Sequence, residues 1–208
     1  YDVFWYNTCT LTNIDYLVYA KKYGIKKRII HAHNSGNETS KLRGMFHYLN
    51  KTRLSQYATD YWSCSMAASE YFYNENIINS PTHHIINNAI QTKNYAFDEA
   101  VRDEIRKEYK LEDKYVVGHV GRFQYQKNHE FLVDVFNEYL KLDNSAVLML
   151  IGQGEGEEAI RQKVADLGIA GNVMFMGVCS DVNKLLQAMD IFVLPSHFEG
   201  LGMVLIEA

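Results

Sequence analysis

No run of about 18 consecutive apolar residues occurs in this 208-residue chain, so no membrane-spanning helix is expected. The first ten residues, YDVFWYNTCT, lack the charged start and long apolar centre of a secretory signal. A basic excess is missing too. Lys and Arg total 21 against 25 Asp and Glu, a net charge of −4, which argues against a broad nucleic-acid surface. Cysteine is scarce: Cys9, Cys64 and Cys179 form no C-x-x-C pair. They are expected to be reduced, buried thiols of a cytoplasmic protein, and none sits in a motif that would activate a thiolate. There is no internal repeat of about 20–50 residues, no low-complexity tract and no hairpin turn signal between the apolar runs.

What is present is a globular composition, 47% hydrophobic, with strand-like and helix-like stretches in alternation. In the first half, strands are expected at 2–6, 27–33, 61–65 and 83–90, and helices at 13–24, 45–59 and 67–73. Asn13 is placed to cap the first helix and Gly24 to end it. A polar stretch, 34–44, separates the second strand from the second helix. The 15 tyrosines, concentrated in this half, are expected to pack helices onto a sheet with their hydroxyls at its edge. Residues 93–113 are charge-rich, helical in their middle and strand-free, and serve as a linker between domains 1–92 and 114–208.

The second half repeats the alternation. Strands are expected at 114–121, 146–152, 172–177 and 191–196, with helices at 129–142, 157–168 and 180–190, the last capped by Ser180. AVLMLIG (146–152) is continuously apolar, as for a strand covered on both faces. This pattern predicts an α/β architecture with a parallel, doubly wound sheet. Ligands of such sheets bind beyond the carboxyl ends of the strands. Four glycine-containing loops fall there: GRFQYQKN, GQGEGE, GVCSD and PSHFEGLG.

Arg122 follows Gly121 directly, and Lys127 stands just before a helix. Two cations beside a helix N-terminus suit an anion with several oxygens, such as a diphosphate. In HFEGLGMVLIEA, Gly200 and Gly202 admit a ligand close to the backbone, and Glu199 and Glu207 bracket the run. With mostly helical residues between them, the two acids would lie roughly 10–12 Å apart, the span from a sugar across a diphosphate to a ribose.

These motifs resemble the large retaining nucleotide-sugar glycosyltransferase family of GT-B architecture, typified by bacterial sugar and mannosyl transferases. G-R-x-x-x-x-K-N falls on Gly121, Arg122, Lys127 and Asn128, and E-x7-E on Glu199, Gly200, Gly202, Glu207 and Ala208. The G-x-G turn falls on Gly152 and Gly154, and the F-x-G strand end on Phe175 and Gly177. The resemblance implies two Rossmann-like domains, an acceptor domain and a donor domain, both truncated in an internal segment. It implies that Arg122 and Lys127 neutralise the donor diphosphate and that Glu199 meets the sugar hydroxyls. The backbone of Gly200, Leu201, Gly202 and Met203 would support sugar and phosphate, Glu207 would bind ribose, and Gly152, Gly177 and Val178 would complete the donor and base site. In the first half, His33 resembles the histidine at the family's cleft, with Ser65 and Asn88 at its serine turn and pre-linker asparagine.

The expected reaction is transfer of a hexosyl group, with retention, from a UDP- or GDP-linked sugar to a glycan or lipid-linked acceptor of capsule or exopolysaccharide type. No cofactor and no metal are implied; His31 and His33 lie two apart, but no third ligand is evident. Alternatives are a nucleotide-sugar epimerase or phosphorylase on the same fold, or a non-catalytic subunit of a glycan synthase. Lys21, Lys22, Lys26, Lys27 and Arg28 form a basic cluster, read either as an exposed helix end or as a peripheral contact with an anionic membrane on the cytoplasmic side.

Overall fold

The computed structural model describes residues 1–36 and 41–208. Asn37–Ser40, part of the expected polar stretch 34–44, lie outside the described residues. The chain divides into two compact units, 1–89 with 198–202, and 90–197 with 203–208. Each is built on a four-stranded parallel sheet.

In the first unit the order along the chain is β1 (Val3–Thr8), α1 (Asp15–Lys22), β2 (Lys27–Ala32), α2 (Lys41–Arg53), β3 (Asp60–Ser63), α3 (Met66–Phe72), α4 (Glu75–Ile78) and β4 (His83–Ile85). The sheet runs β1-β2-β3-β4. Strand alternation sends Ile30, Ala32 and Tyr61 to one face, where they pack with Leu17, Leu54 and Phe72. The other face carries an aromatic row. His31 pairs in register with Trp62, and Trp5 stacks on His31 with centroids 5.9 Å apart. Tyr73 is buried in the core, but its hydroxyl donates to the Trp62 carbonyl at 2.6 Å, over the inner strands rather than at the sheet's edge. Tyr16, Tyr19 and Tyr23 instead lie exposed.

Local signals place most ends. Ser65 caps α3, its Oγ accepting from the Ala68 amide at 3.2 Å. Gly24 follows α1 with φ +78. Asn13 does not cap; Ile14 occupies that position, and the Asn13 side chain closes a turn onto the Asp15 amide at 2.7 Å. The thiols also differ from expectation. Cys64, in the turn after β3, is buried in the core of this unit, but Cys9 is exposed and Cys179 half-buried.

The second unit contains α5 (Glu99–Glu108), β5 (Val116–Val120), α6 (His129–Tyr139), β6 (Val147–Ile151), α7 (Glu157–Asp166), β7 (Val173–Gly177), α8 (Val182–Gln187), β8 (Ile191–Phe192) and α9 (Met203–Glu207). Its sheet order is β7-β6-β5-β8. The chain steps outward from β5 to β7, then returns to the other side of β5, so the strand order reverses between β5 and β8. The apolar β6 is buried throughout: Leu148 and Leu150 enter the core under α6 and α7, while Met149 and Ile151 enter the core under α5 and α8. Segment 93–113 contributes α5, which packs on α8. Arg102 and Arg106 of α5 bind Asp190, which also accepts from the Val116 amide at 2.7 Å. Ser180 is not the cap of α8; Asp181 holds that position, with no side-chain hydrogen bond. β8 is two residues long, and Val193 beyond it still donates its amide to the Gly118 carbonyl at 2.9 Å.

Candidate donor site

In the second unit, three loops meet at the carboxyl edge of the sheet. The Gly121 amide donates to the Ile151 carbonyl at 2.9 Å, and the Gly152 amide to the Gly177 carbonyl at 2.7 Å. These bonds carry the ends of β5, β6 and β7 into one another. Gly152, at φ +134, crosses so near Gly121 that a Cβ there would overlap the Gly121 carbonyl. A Cβ on Gly154 would stand 2.6 Å from the Phe123 carbonyl oxygen. The glycines therefore let backbone approach backbone, and the space this leaves is a cleft of about 490 Å³. Gly121, Arg122, Gly152, Gly154 and Val178 line it, together with Cys179, expected only as a buried thiol, and Val182, which the sequence reading did not single out.

Lys127 ends a short 3-10 turn, Tyr125–Lys127, and Asn128 follows in the left-handed conformation, φ 53, before α6 begins. The lysine stem passes over Gly121: a Cβ at Gly121 would lie 3.0 Å from Lys127 Cγ. The loop is tied across the strand-order reversal to the segment after β8. The His197 amide donates to the Gln126 carbonyl at 2.9 Å, Asn128 Nδ2 donates to the Pro195 carbonyl at 3.2 Å, and Tyr125 stacks on His197. Two buried imidazoles lie beside the loop. His119 is fully buried, with Nδ1 donating to the Val193 carbonyl at 2.8 Å. His129, against its edge and stacked on Phe123, is held down to about 3 by burial, then by the His119 ring and the Lys127 charge. Neither histidine was anticipated, since a histidine within an apolar strand or at a helix start carries no distinctive spacing.

Met203 opens α9 and Glu207 closes it. Glu207 faces Tyr95, whose hydroxyl is pushed up first by burial and then by that carboxylate. Of the residues between the two acids only Met203–Ile206 are helical, so the run is more extended than a full helix.

The first unit holds the remaining expected residues. Residues 198–202 lie against the end of β2. Ser35 Oγ donates to the Glu199 carbonyl, and Ser65 Oγ donates to the Gly200 carbonyl at 2.6 Å. A Cβ on Gly200 would overlap the His33 carbonyl, and Leu201 packs on the core of this unit. His33 Nε2 lies 2.9 Å from Asn7 Oδ1, and burial lowers its basicity. Asn88 is half-buried beyond β4. His31 and His33 have centroids 4.1 Å apart, and among the described residues no group of three His, Cys, Asp or Glu side chains could hold a metal ion.

Two parallel four-stranded sheets with flanking helices, the second carrying glycine turns at its carboxyl edge, are the architecture of GT-B glycosyltransferases. Against solved structures, the chain superposes over its full length on Anabaena Alr3699/HepE in complex with UDP-glucose, with a TM-score of 0.84, 21% identity and 57% of that chain covered. It also matches WaaG, a glycosyltransferase of lipopolysaccharide biosynthesis, with a TM-score of 0.73 and 18% identity over 93% of this chain and 59% of that one. The chain belongs to the glycosyl transferases group 1, whose family model matches residues 101–208. Among curated relatives, the putative glycosyltransferase EpsF of Bacillus subtilis (strain 168) is 26% identical over 197 residues, 91% of this chain and 50% of EpsF. The GDP-mannose-dependent alpha-(1-6)-phosphatidylinositol monomannoside mannosyltransferase of Mycobacterium tuberculosis is 30% identical over 128 residues, 57% of this chain and 33% of the relative. The chain thus spans half the length of EpsF. Among the described residues, no helix is long and apolar enough to cross a membrane.

Proposed function

We propose that the protein transfers a hexosyl group from a nucleotide-sugar, UDP- or GDP-linked, to a hydroxyl of a glycan or lipid-linked acceptor, retaining the anomeric configuration and using no metal or other cofactor. One observation carries this reading. Arg122 and three turns of exposed backbone line a single cleft at the carboxyl edge of the second sheet, with the Lys127 stem laid across its first glycine. Two cations and open backbone at that edge fit a diphosphate with a nucleoside attached. HepE has been solved with UDP-glucose, and the mycobacterial relative is named for GDP-mannose, which supports a nucleotide-sugar as donor.

In this reading Arg122 and Lys127 take the charge that develops on the leaving diphosphate, the step in which fixed cations lower the barrier most. Gly152, Gly177 and Val178 approach the nucleoside, with Gly121 making room for the lysine. Glu199 takes sugar hydroxyls and Glu207 ribose hydroxyls. The amides of Gly200, Leu201, Gly202 and Met203 support sugar and phosphate, and His33 hydrogen-bonds sugar or acceptor. No side chain is assigned as nucleophile; the departing phosphate accepts the proton of the attacking hydroxyl on the same face, which gives retention. The reaction takes place on the cytoplasmic side, peripheral to the membrane.

The test is the anomeric configuration of the product, read by NMR during turnover of the full-length protein. A retained anomer is expected; an inverted one removes the mechanism. Isomerised donor, without transfer to any acceptor, would replace the transferase by an epimerase.

A further inference from the structure

The loop between β5 and α6 has two sides. Arg122 lines the donor cleft, whereas Phe123, Gln124 and Tyr125 line a second pocket, of about 210 Å³, beside the starts of α6 and α7. His129, Ala159 and His197 extend its wall. The two cavities share no lining residue, and both belong to the second unit. Backbone fixes the partition between them. The Gly156 amide donates to the Phe123 carbonyl at 2.9 Å, and a Cβ on Gly154 would meet that same carbonyl. Gly154 lines the cleft and Gly156 the pocket.

Stacked rings dominate this pocket. Phe123 stacks on His129 with centroids 4.2 Å apart, and Tyr125 on His197 with centroids 4.5 Å apart. Tyr125 is 64% exposed even so, and its ring is open to a ligand. Hydrogen-bonding groups without partners stand beside the rings. His129 is 3% exposed, and its Nε2 is buried with no partner, an arrangement that protein interiors rarely leave. Among the described residues, the Gln124 amide, the Tyr125 hydroxyl and the His197 ring nitrogens make no hydrogen bond. Flat apolar faces with a few free polar groups make a small-molecule site, and this volume admits a single ring.

Charge and polarity narrow the ligand. Glu130 lines the pocket and no lysine or arginine does, which disfavours a phosphate or a uronate. An acyl chain would leave the amide, the hydroxyl and the imidazoles unpaired as it covered them. A neutral sugar answers both features. Its C–H face lies on an aromatic ring, and its hydroxyls donate and accept as amide and imidazole groups require. We propose that this pocket holds one neutral pyranose unit of the acceptor glycan, laid on Tyr125 and hydrogen-bonded by Gln124 and His197. The inference rests on the transferase reading and adds to it a glycan subsite on the donor unit, across the loop from the diphosphate.

The experiment is saturation-transfer NMR on the full-length protein. Maltotriose, mannotriose and chitotriose are the neutral probes, and trigalacturonate is the charged one. At least one neutral trisaccharide is expected to bind, with trigalacturonate weaker by about tenfold or more. Tyr125→Ala is expected to weaken the neutral sugar about tenfold or more. Ala159 is exposed on α7, outside the loop, and Ala159→Trp should fill the pocket and weaken the sugar as much, with UDP affinity unchanged. Three results overturn the proposal: no saturation transfer to any neutral trisaccharide, undiminished sugar binding by Ala159→Trp, or trigalacturonate bound as tightly as the neutral sugars. Calorimetric titration of UDP into the same samples separates the two readings. Protein that binds UDP but no neutral sugar loses the subsite and keeps the donor cleft. Protein that binds the sugar in this pocket but neither UDP nor GDP keeps a glycan site and loses the transferase reading.

Discussion

Gly152 passes Gly121 so closely that a Cβ on Gly152 would overlap the Gly121 carbonyl, standing 2.9 Å from its carbon. The contact locks the turn after β6 against the turn after β5, and both line the same cleft. Gly152 also sits at φ +134, where an L side chain is strained whatever the space. Gly152→Ala is expected to cost about 2 kcal/mol or more of stability and to abolish nucleotide binding even where the protein still folds. Denaturant unfolding and calorimetric titration with UDP and GDP check both halves.

A second prediction concerns Asp190, which joins α5 to the start of β5. Burial pushes its carboxyl up, but the Val116 amide and the guanidinium groups of Arg102 and Arg106 together outweigh that and hold it below its ordinary 3.8. A lowered carboxylate contributes stability that is present above the unfolded-state value and lost as pH falls through the folded one. Asp190→Asn keeps the shape and removes the charge. It is expected to cost roughly 2 kcal/mol at neutral pH and to flatten the stability curve below about pH 4. Urea unfolding of both proteins from pH 3 to pH 7 measures it.

Histidines act at milder acidity. His31 is lowered from 6.5 to about 4, by burial and then by the neighbouring His33, and His129 from 6.5 to about 3. Above pH 6.5 each ring is neutral both folded and unfolded and contributes nothing to the slope. Between pH 6.5 and about 4 the unfolded chain binds protons that the folded chain refuses, so stability falls on acidification, by up to about 1.4 kcal/mol per pH unit for each ring. His31→Phe keeps an aromatic between Trp5 and Trp62 and is expected to remove that ring's share of the slope, about 1 kcal/mol per pH unit between pH 6 and pH 5. An unchanged slope would show that His31 takes up its proton in the folded state.

The parallel sheets and the glycine loops were legible because their signals are local. Val147–Ile151 is apolar without interruption, and only a strand covered on both faces tolerates that. Gly121, Gly152 and Gly154 stand where strands end, and backbone crossing is what such positions permit. Features set by tertiary contact were not legible. Helix α2 has a stripe that periodicity assigns to a core, yet its polar face is the docked one because Leu11 and Tyr71 offer backbone groups that His47, Asn50 and Lys51 satisfy. Helix α4, four residues capped by Asn74, is too short to show a period. His119 and His129 lie hidden in apolar surroundings, and only the fold brings their rings to 4.7 Å. At Asp181 and Ser180, two adjacent capping types stood side by side and the chain took the second.

The most direct test of the donor assignment is the affinity of the full-length protein for UDP and GDP, wild type against Lys127→Ala, by calorimetric titration. One of the two nucleotides is predicted to bind, and Lys127→Ala to weaken it about a hundredfold, the scale of a lost charge-assisted contact to phosphate. Undiminished affinity in Lys127→Ala, or no binding of either nucleotide by the wild type, would contradict the account.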